Sequence, residues 1–183
     1  MSSADPSLRL EYAREPDISA ELDRELIELI STSFDQPHNA FFKTRRYAQE
    51  QPLHRYMLRA ANDRLAAHLA VHEKIISVAG KDMAIGGIAE VCVRASERGR
   101  GHVRHLLEQA HRGLLERGIE FSFLFGDFGI YGSSGYLHVK APIRRLNHLT
   151  KHFEISPSQF ALVKSLAARA WPEGSVDLRG PLF

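Results

Sequence analysis

Apolar positions change their period more than once along this chain of 183 residues. Residues 8–13 read as a short first strand, and Pro16, Asp17, Ile18 and Ser19 as a turn. Residues 21–34 place Leu22, Leu26, Ile27 and Ile30 at the spacing of an amphipathic helix. Residues 35–46 are polar and aromatic, with Phe41 and Phe42 but no clean period, which predicts a loop or a short helix. Residues 54–61 read as a strand and Asn62-Asp63 as a tight turn. Residues 64–78 form a long strand, Gly80-Lys81-Asp82 turns the chain, and residues 83–93 return antiparallel.

The period then becomes helical again. After Arg98-Gly99-Arg100-Gly101, the residues Val103, Leu106, Leu107, Ala110, Leu114 and Leu115 line one helix face, stopped by Gly118. Ile119, Phe121, Phe123 and Phe125 then alternate as a strand should. Strand, glycine loop, helix and strand make a crossover, which implies two parallel strands. Residues 128–136, rich in Gly and Ser, predict a short helix or turn, residues 143–152 give no clear assignment, and residues 160–166 read as the last strand. The fold class is therefore α/β (α+β): a central mixed, mostly antiparallel sheet flanked by helices. The length suits one domain with a sizeable core, so residues 1–183 are expected to form a single domain.

Composition narrows the function classes. A formal charge of +2 is too small to imply a nucleic-acid partner, and the basic residues are scattered among acidic ones. One cysteine cannot form an internal disulfide, which fits a reducing compartment. Residues 1–16 have no continuous apolar stretch, so neither a secretory signal nor an anchor is expected. No later segment approaches the roughly 20 apolar residues that span a bilayer. A cytoplasmic protein with no membrane or nucleic-acid partner is the expectation, with its assembly state open, a homodimer included.

A glycine loop that opens a helix gathers free backbone N–H groups and the positive end of the helix dipole, which makes an anion site suited to phosphates. Two common phosphate motifs fail here: position 104 is Arg rather than the third glycine of a dinucleotide fingerprint, and no Gly-Lys-Ser/Thr occurs. Instead, Val91-Cys92-Val93 followed by Arg98-Gly99-Arg100-Gly101-His102-Val103 and a helix resembles the acetyl-CoA-binding motif of GCN5-related N-acetyltransferases. Arg98, Gly101 and Val103 occupy its anchor positions, although Val103 departs from the usual Gly or Ala. Downstream, Tyr131 followed by Gly135 and Tyr136 resembles the second motif of that family. The Arg-Gly-Arg-Gly-x-Val variant and the tail from Trp171 to Leu178 look like aminoglycoside 2′-N-acetyltransferase members.

The resemblance implies the GNAT fold, with a sheet splayed at its centre, and acetyl-CoA as co-substrate, with no metal. Pantetheine would insert between the strand ending at Val93 and the strand at residues 121–125. Backbone groups of Val91, Cys92 and Val93 would hold it, one N–H facing the thioester oxygen. Arg98, Gly99, Arg100, Gly101, His102 and Val103 would cradle the pyrophosphate. Tyr131 matches the general acid, since a phenol stays protonated at neutral pH. Glu90 is the candidate base, because a half-buried carboxylate has a raised pKa. Strict alternation, however, puts Glu90 on the same face as Cys92, and family bases often sit where Ala89 stands, so a bulge is needed to restore the register. Cys92 reads as a small buried residue and Asp127 as a helix N-cap.

The expected activity is direct transfer of acetyl from the thioester to a primary amine of a small molecule, an amino sugar among the candidates. A protein lysine or N-terminal acetyltransferase and a non-catalytic acyl-CoA-binding module are the alternatives. Phe41 and Phe42 are expected to cover the acceptor, with Asp35, Glu50, Glu173, Asp177 and Phe183 near it. The ten histidines suggest metal only weakly. His68 and His72 on one strand lie roughly 13 Å apart at about 3.3 Å per residue, and His148 with His152 would need a helix.

Overall fold

The computed structural model describes residues 8–183, so the expectation of no leader in residues 1–16 falls partly outside the described residues. The described chain groups into two compact units. One comprises residues 8–71 and 90–110, the other residues 72–89 and 111–183.

The first unit starts with strand β1 (Arg9–Arg14), a 3-10 turn (Glu15–Asp17) and helix α1 (Ala20–Ser33). Ser19 caps α1, its hydroxyl accepting from the N–H of Leu22 at 3.1 Å. Leu22, Leu26, Leu29 and Ile30 are the buried stripe of α1, so Leu29 takes the place expected for Ile27. They pack against Phe42, Met57, Leu65 and Cys92, and each such burial contributes about 1.5–3 kcal/mol. Strand β2 (His54–Arg59) pairs antiparallel with β1 and with the first half of β3 (Leu65–Val78). Residues 35–46 hold a 3-10 helix, Pro37–Lys43. Phe42 is buried in the core under α1, its ring tilted against that of Phe41 with centroids 4.5 Å apart. Phe42, expected to cover the acceptor, is thus a core residue.

Strands follow the order β6-β9-β5-β4-β3-β10-β7-β8, and the second unit holds all of these but the first half of β3 and the last four residues of β4. The ranges are β4 Lys81–Val93, β5 Phe121–Phe125, β6 Leu137–His138, β7 Ile143–Leu146, β8 Phe153–Ser156, β9 Ala161–Ser165 and β10 Val176–Asp177. Helix α2 (His102–Glu116) makes the crossover between β4 and β5, which pair parallel at Gly86↔Ser122, Gly87↔Phe123 and Ile88↔Leu124. β5 ends at Phe125, so this parallel pairing covers only the middle of β4. Gly86 lets Leu114 of α2 lie directly on β4, since a Cβ there would collide with the leucine. Mixed pairing with helices against it is the fold class expected from the pattern.

Three elements differ from the sequence reading. β9 is not the last strand: the tail contributes β10, antiparallel to β3 and parallel to β7. β7 and β8 form a hairpin where the pattern was silent. His148 and His152 lie in its connecting turn, not on a helix, and no cluster of three metal-ligating side chains occurs among the described residues. Among those residues no helix is long and apolar enough to cross a membrane.

Candidate active site

The glycine loop has the backbone its sequence demands. Gly99 and Gly101 take φ values of +75° and +79°, which side-chain-bearing residues rarely adopt, and a Cβ on either would meet no atom within 4 Å. The loop is therefore open as well as left-handed. The hydrogen bond from His105 N–H to Gly101 C=O, at 3.1 Å, begins the first turn of α2. The amides of residues 102–104 consequently have no partner within the helix. Arg98 Nε donates to the Val93 carbonyl at 3.2 Å, tying the loop to the end of β4, and Arg100 pairs with Glu97 at 2.9 Å. His102 is buried, and its Nε2 has no hydrogen-bond partner among the described residues, Glu97 being 3.7 Å away. Amides, an open glycine cradle and two guanidinium groups fit a pyrophosphate.

Val91, Cys92 and Val93 form the end of β4, where they were placed. Cys92 is buried against α1, and burial pushes its thiol up to about 12, so it is held as a neutral thiol. Cys92→Ala is expected to keep at least half of the parent's turnover, and mass spectrometry after a single turnover should find no acetyl group on the cysteine.

Glu90 departs from the strand pattern. Its φ is +45° inside β4, a left-handed residue of the kind found in bulges. This interrupts the alternation that set Glu90 and Cys92 on one face. Oε1 accepts from the Ala48 N–H at 3.1 Å, while Oε2 is buried without a hydrogen-bond partner among the described residues. Burial raises its pKa to about 7, opposed by the charge of Arg55 and the Ala48 N–H and reinforced by Glu15. A carboxylate with one bare oxygen and a pKa near neutrality can take a proton from an ammonium.

Tyr131 belongs to the second unit, at the end of the short helix α3 (Phe128–Tyr131). Asp127 caps this helix by accepting from the Gly129 N–H at 2.8 Å, as expected. Gly126 lets the ring of Tyr131 approach, since a Cβ there would lie 2.5 Å from its Cε2. The Tyr131 ring packs edge-on against Tyr136, centroids 6.0 Å apart. Tyr136 is buried, with its hydroxyl 2.6 Å from Ser122 Oγ and 2.9 Å from His111 Nε2. The aromatic of the second motif is thus an anchor.

Residues the sequence reading passed over surround Glu90. Arg55, Glu15 and His68 form a buried polar network with it, whereas sequence alone marked His68 only as a weak metal candidate. A charged Arg55 directly before the apolar run Tyr56-Met57-Leu58 was the available signal. Of the acids expected around an acceptor, Asp177 is engaged otherwise: it pairs with Arg144 at 2.6 Å, and its other oxygen accepts from the Arg179 N–H. The Phe183 ring lies over Gly87, where a Cβ would come within 2.6 Å of it.

The family model of the acetyltransferase (GNAT) domain matches residues 18–139. The chain therefore belongs to the GNAT acetyltransferase family, and by class it is an acyltransferase. A search of curated proteins found no match. Among solved structures, the chain is similar to a GNAT family N-acetyltransferase from Escherichia coli in complex with CoA, at TM-score 0.66 and 19% identity over 96% of this chain and 92% of that one. It is also similar to a GNAT family acetyltransferase from Brucella melitensis in complex with acetyl-CoA, at TM-score 0.58 and 14% identity over 92% and 94%. A GCN5-related N-acetyltransferase from Anabaena variabilis matches at TM-score 0.57 and 20% identity, over 73% of this chain but 33% of that larger one. These likenesses establish the shared fold.

Proposed function

We propose that this chain, as one catalytic domain, moves an acetyl group from acetyl-CoA directly to a primary amine of a small molecule, with amino sugars as the first class to test. The observation that carries this reading is Glu90: a buried carboxylate with a bare oxygen and a pKa near 7, three residues before the end of the strand that leads into the glycine loop. In this reading Glu90 Oε2 takes a proton from the acceptor ammonium, leaving the lone pair free to attack the thioester carbon. A backbone N–H in the stretch of Val91 to Val93 stabilises the oxyanion, the N–C bond forms and the C–S bond breaks. Tyr131 gives its phenolic proton to the departing thiolate, the second proton of the nitrogen returns to the phenolate through solvent as the amide forms, and Glu90 releases the proton it took to bulk water.

The acceptor's positive charge suits a base that is itself negative when ready to act. The test is thiol release from acetyl-CoA across a panel of amino sugars, polyamines and lysine peptides. Acceleration by a small amine supports the reading, and acceleration by peptides alone would move the substrate class to proteins. Tight coenzyme binding with no thiol release from any amine would make the chain a binding module. Tyr131→Phe is expected to lower kcat by ~10²-fold with coenzyme affinity nearly intact. A fully active Phe variant would return Tyr131 to a packing role.

A further inference from the structure

Left-handed backbone costs an ordinary residue about 1–2 kcal/mol, so the turn at Glu90 needs something to hold it. The Glu90 carbonyl oxygen lies 3.0 Å from Nδ1 of His68, a fully buried ring. A carbonyl only accepts, so Nδ1 carries the proton. The other ring nitrogen, Nε2, lies 3.0 Å from Nη1 of Arg55. A guanidinium only donates, so Nε2 is bare. One tautomer satisfies both neighbours, the neutral Nδ1–H form. Burial, and then the charge of Arg55, hold the His68 pKa well below its ordinary range, so the ring stays neutral.

Arg55 is fixed in turn. It is fully buried, with Nε 2.6 Å from Glu15 Oε2 and Nη2 3.2 Å from the Arg46 carbonyl. Arg46 reaches the other Glu15 oxygen at 2.9 Å and also pairs with Asp23. A chain of hydrogen bonds thus runs from Glu15 through Arg55 and His68 to the backbone of Glu90. Buried charges are costly to keep, and fixing one conformation is a use that offsets the cost.

We propose that His68, its tautomer set by Arg55 and Glu15, is a positioning residue that locks the left-handed backbone at Glu90 and so aims the Glu90 carboxylate. The inference rests on the reading of Glu90 as the base. Because the peptide unit is planar and trans, fixing the Glu90 C=O also fixes the direction of the Val91 N–H. One histidine therefore orients the base and the first amide of the stretch proposed to meet the thioester. The charged and titratable groups facing Glu90 are Arg55 from β2, Glu15 from the 3-10 turn, His68 from β3 and Cys92 from β4.

The test is NMR on the full chain, reading the ring nitrogens of His68 and the carboxyl carbon of Glu90 in the parent, His68→Gln and His68→Leu. Glutamine keeps one N–H donor and one acceptor, and leucine keeps neither. In the parent, His68 should show the neutral Nδ1–H tautomer throughout pH 5 to 9, with Glu90 titrating near 7. In His68→Leu, the Glu90 midpoint should fall by about one unit or more as the carboxylate escapes its buried setting and Arg55 loses its neutral partner. The acid limb of the rate profile should move with it, and kcat should fall ~10-fold or more, with glutamine restoring most of both. An Nε2–H tautomer in the parent, or an unchanged Glu90 midpoint in folded His68→Leu, would overturn the proposal. The tautomer is read without any substitution, so it decides the matter even where the leucine variant fails to fold. A midpoint that moves while the rate profile stays would support the positioning role and remove Glu90 from the base role.

Discussion

Glu90→Gln is expected to lower kcat/KM by ~10²- to 10⁴-fold, the span of a lost general base, while making the folded protein more stable at pH 8. Both effects come from one cause. Burial raises the carboxyl of Glu90 from 4.5 to about 7, so the native state binds a proton that the unfolded chain releases between those values. Stability therefore falls as pH rises through that window, because the native state holds more protons than the unfolded state. By pH 8 the whole cost of a buried carboxylate is present, about 3 kcal/mol for a shift of this size. Glutamine keeps the shape and can still accept from the Ala48 N–H, but it carries no charge. The variant should melt several degrees higher than the parent at pH 8. That gain should shrink steadily toward pH 5, where the parent carboxyl is largely protonated too. The rate profile of the parent should show an acid limb near 7 that the variant lacks. A variant that is dead but no more stable at pH 8 would mean that Glu90 does not titrate where burial puts it. A variant that is more stable yet fully active would hand the base role to solvent.

The sequence reading succeeded wherever a local pattern carries the information. The α1 stripe, the long β3–β4 pair, the α2 stop at Gly118 and the alternating phenylalanines of β5 each repeat at a period that their own side chains set. The glycine loop was legible because φ near +75° at Gly99 and Gly101 is a demand that glycine meets without cost. Strand β10 was not legible, since two residues have no period and its pairing with β3 and β7 is wholly nonlocal. The hairpin β7–β8 escaped for a related reason: it exposes Phe153 and Ile155, so the polar and apolar positions do not mark an inner face.

The candidate site shows the same division. Glu90, Tyr131 and the loop could be named from spacing and family resemblance. The left-handed turn at Glu90 could be stated only as a requirement, because nothing in Ala89-Glu90-Val91 favours positive φ. Its cause lies 22 residues away in sequence, at His68. An arginine buried in β2 and a histidine buried in β3 look like errors when each strand is read alone. They become intelligible as a pair once β2 and β3 are known to be neighbours. Local patterns thus revealed the elements, and long-range hydrogen bonds supplied the orientation within them.

Gly101→Val is expected to weaken acetyl-CoA binding ~10²-fold or more, a loss of some 2–3 kcal/mol in calorimetry. The residue sits at φ +79° with its carbonyl accepting from the His105 N–H, so it sets how α2 begins. A β-branched residue is strained there and would pull the backbone toward negative φ, turning the first amides of α2 away from a shared point. Space is not the obstacle in the protein itself, since a Cβ at Gly101 meets nothing within 4 Å. The fold should survive with a modest drop in melting temperature. Gly101→Asn separates the two contributions, because asparagine tolerates left-handed backbone but still carries a side chain. If orientation of the amides dominates, asparagine should recover much of the affinity. If close approach of the diphosphate dominates, asparagine should bind as poorly as valine. Parent-like coenzyme affinity in a folded Gly101→Val protein would remove the pyrophosphate from this loop altogether.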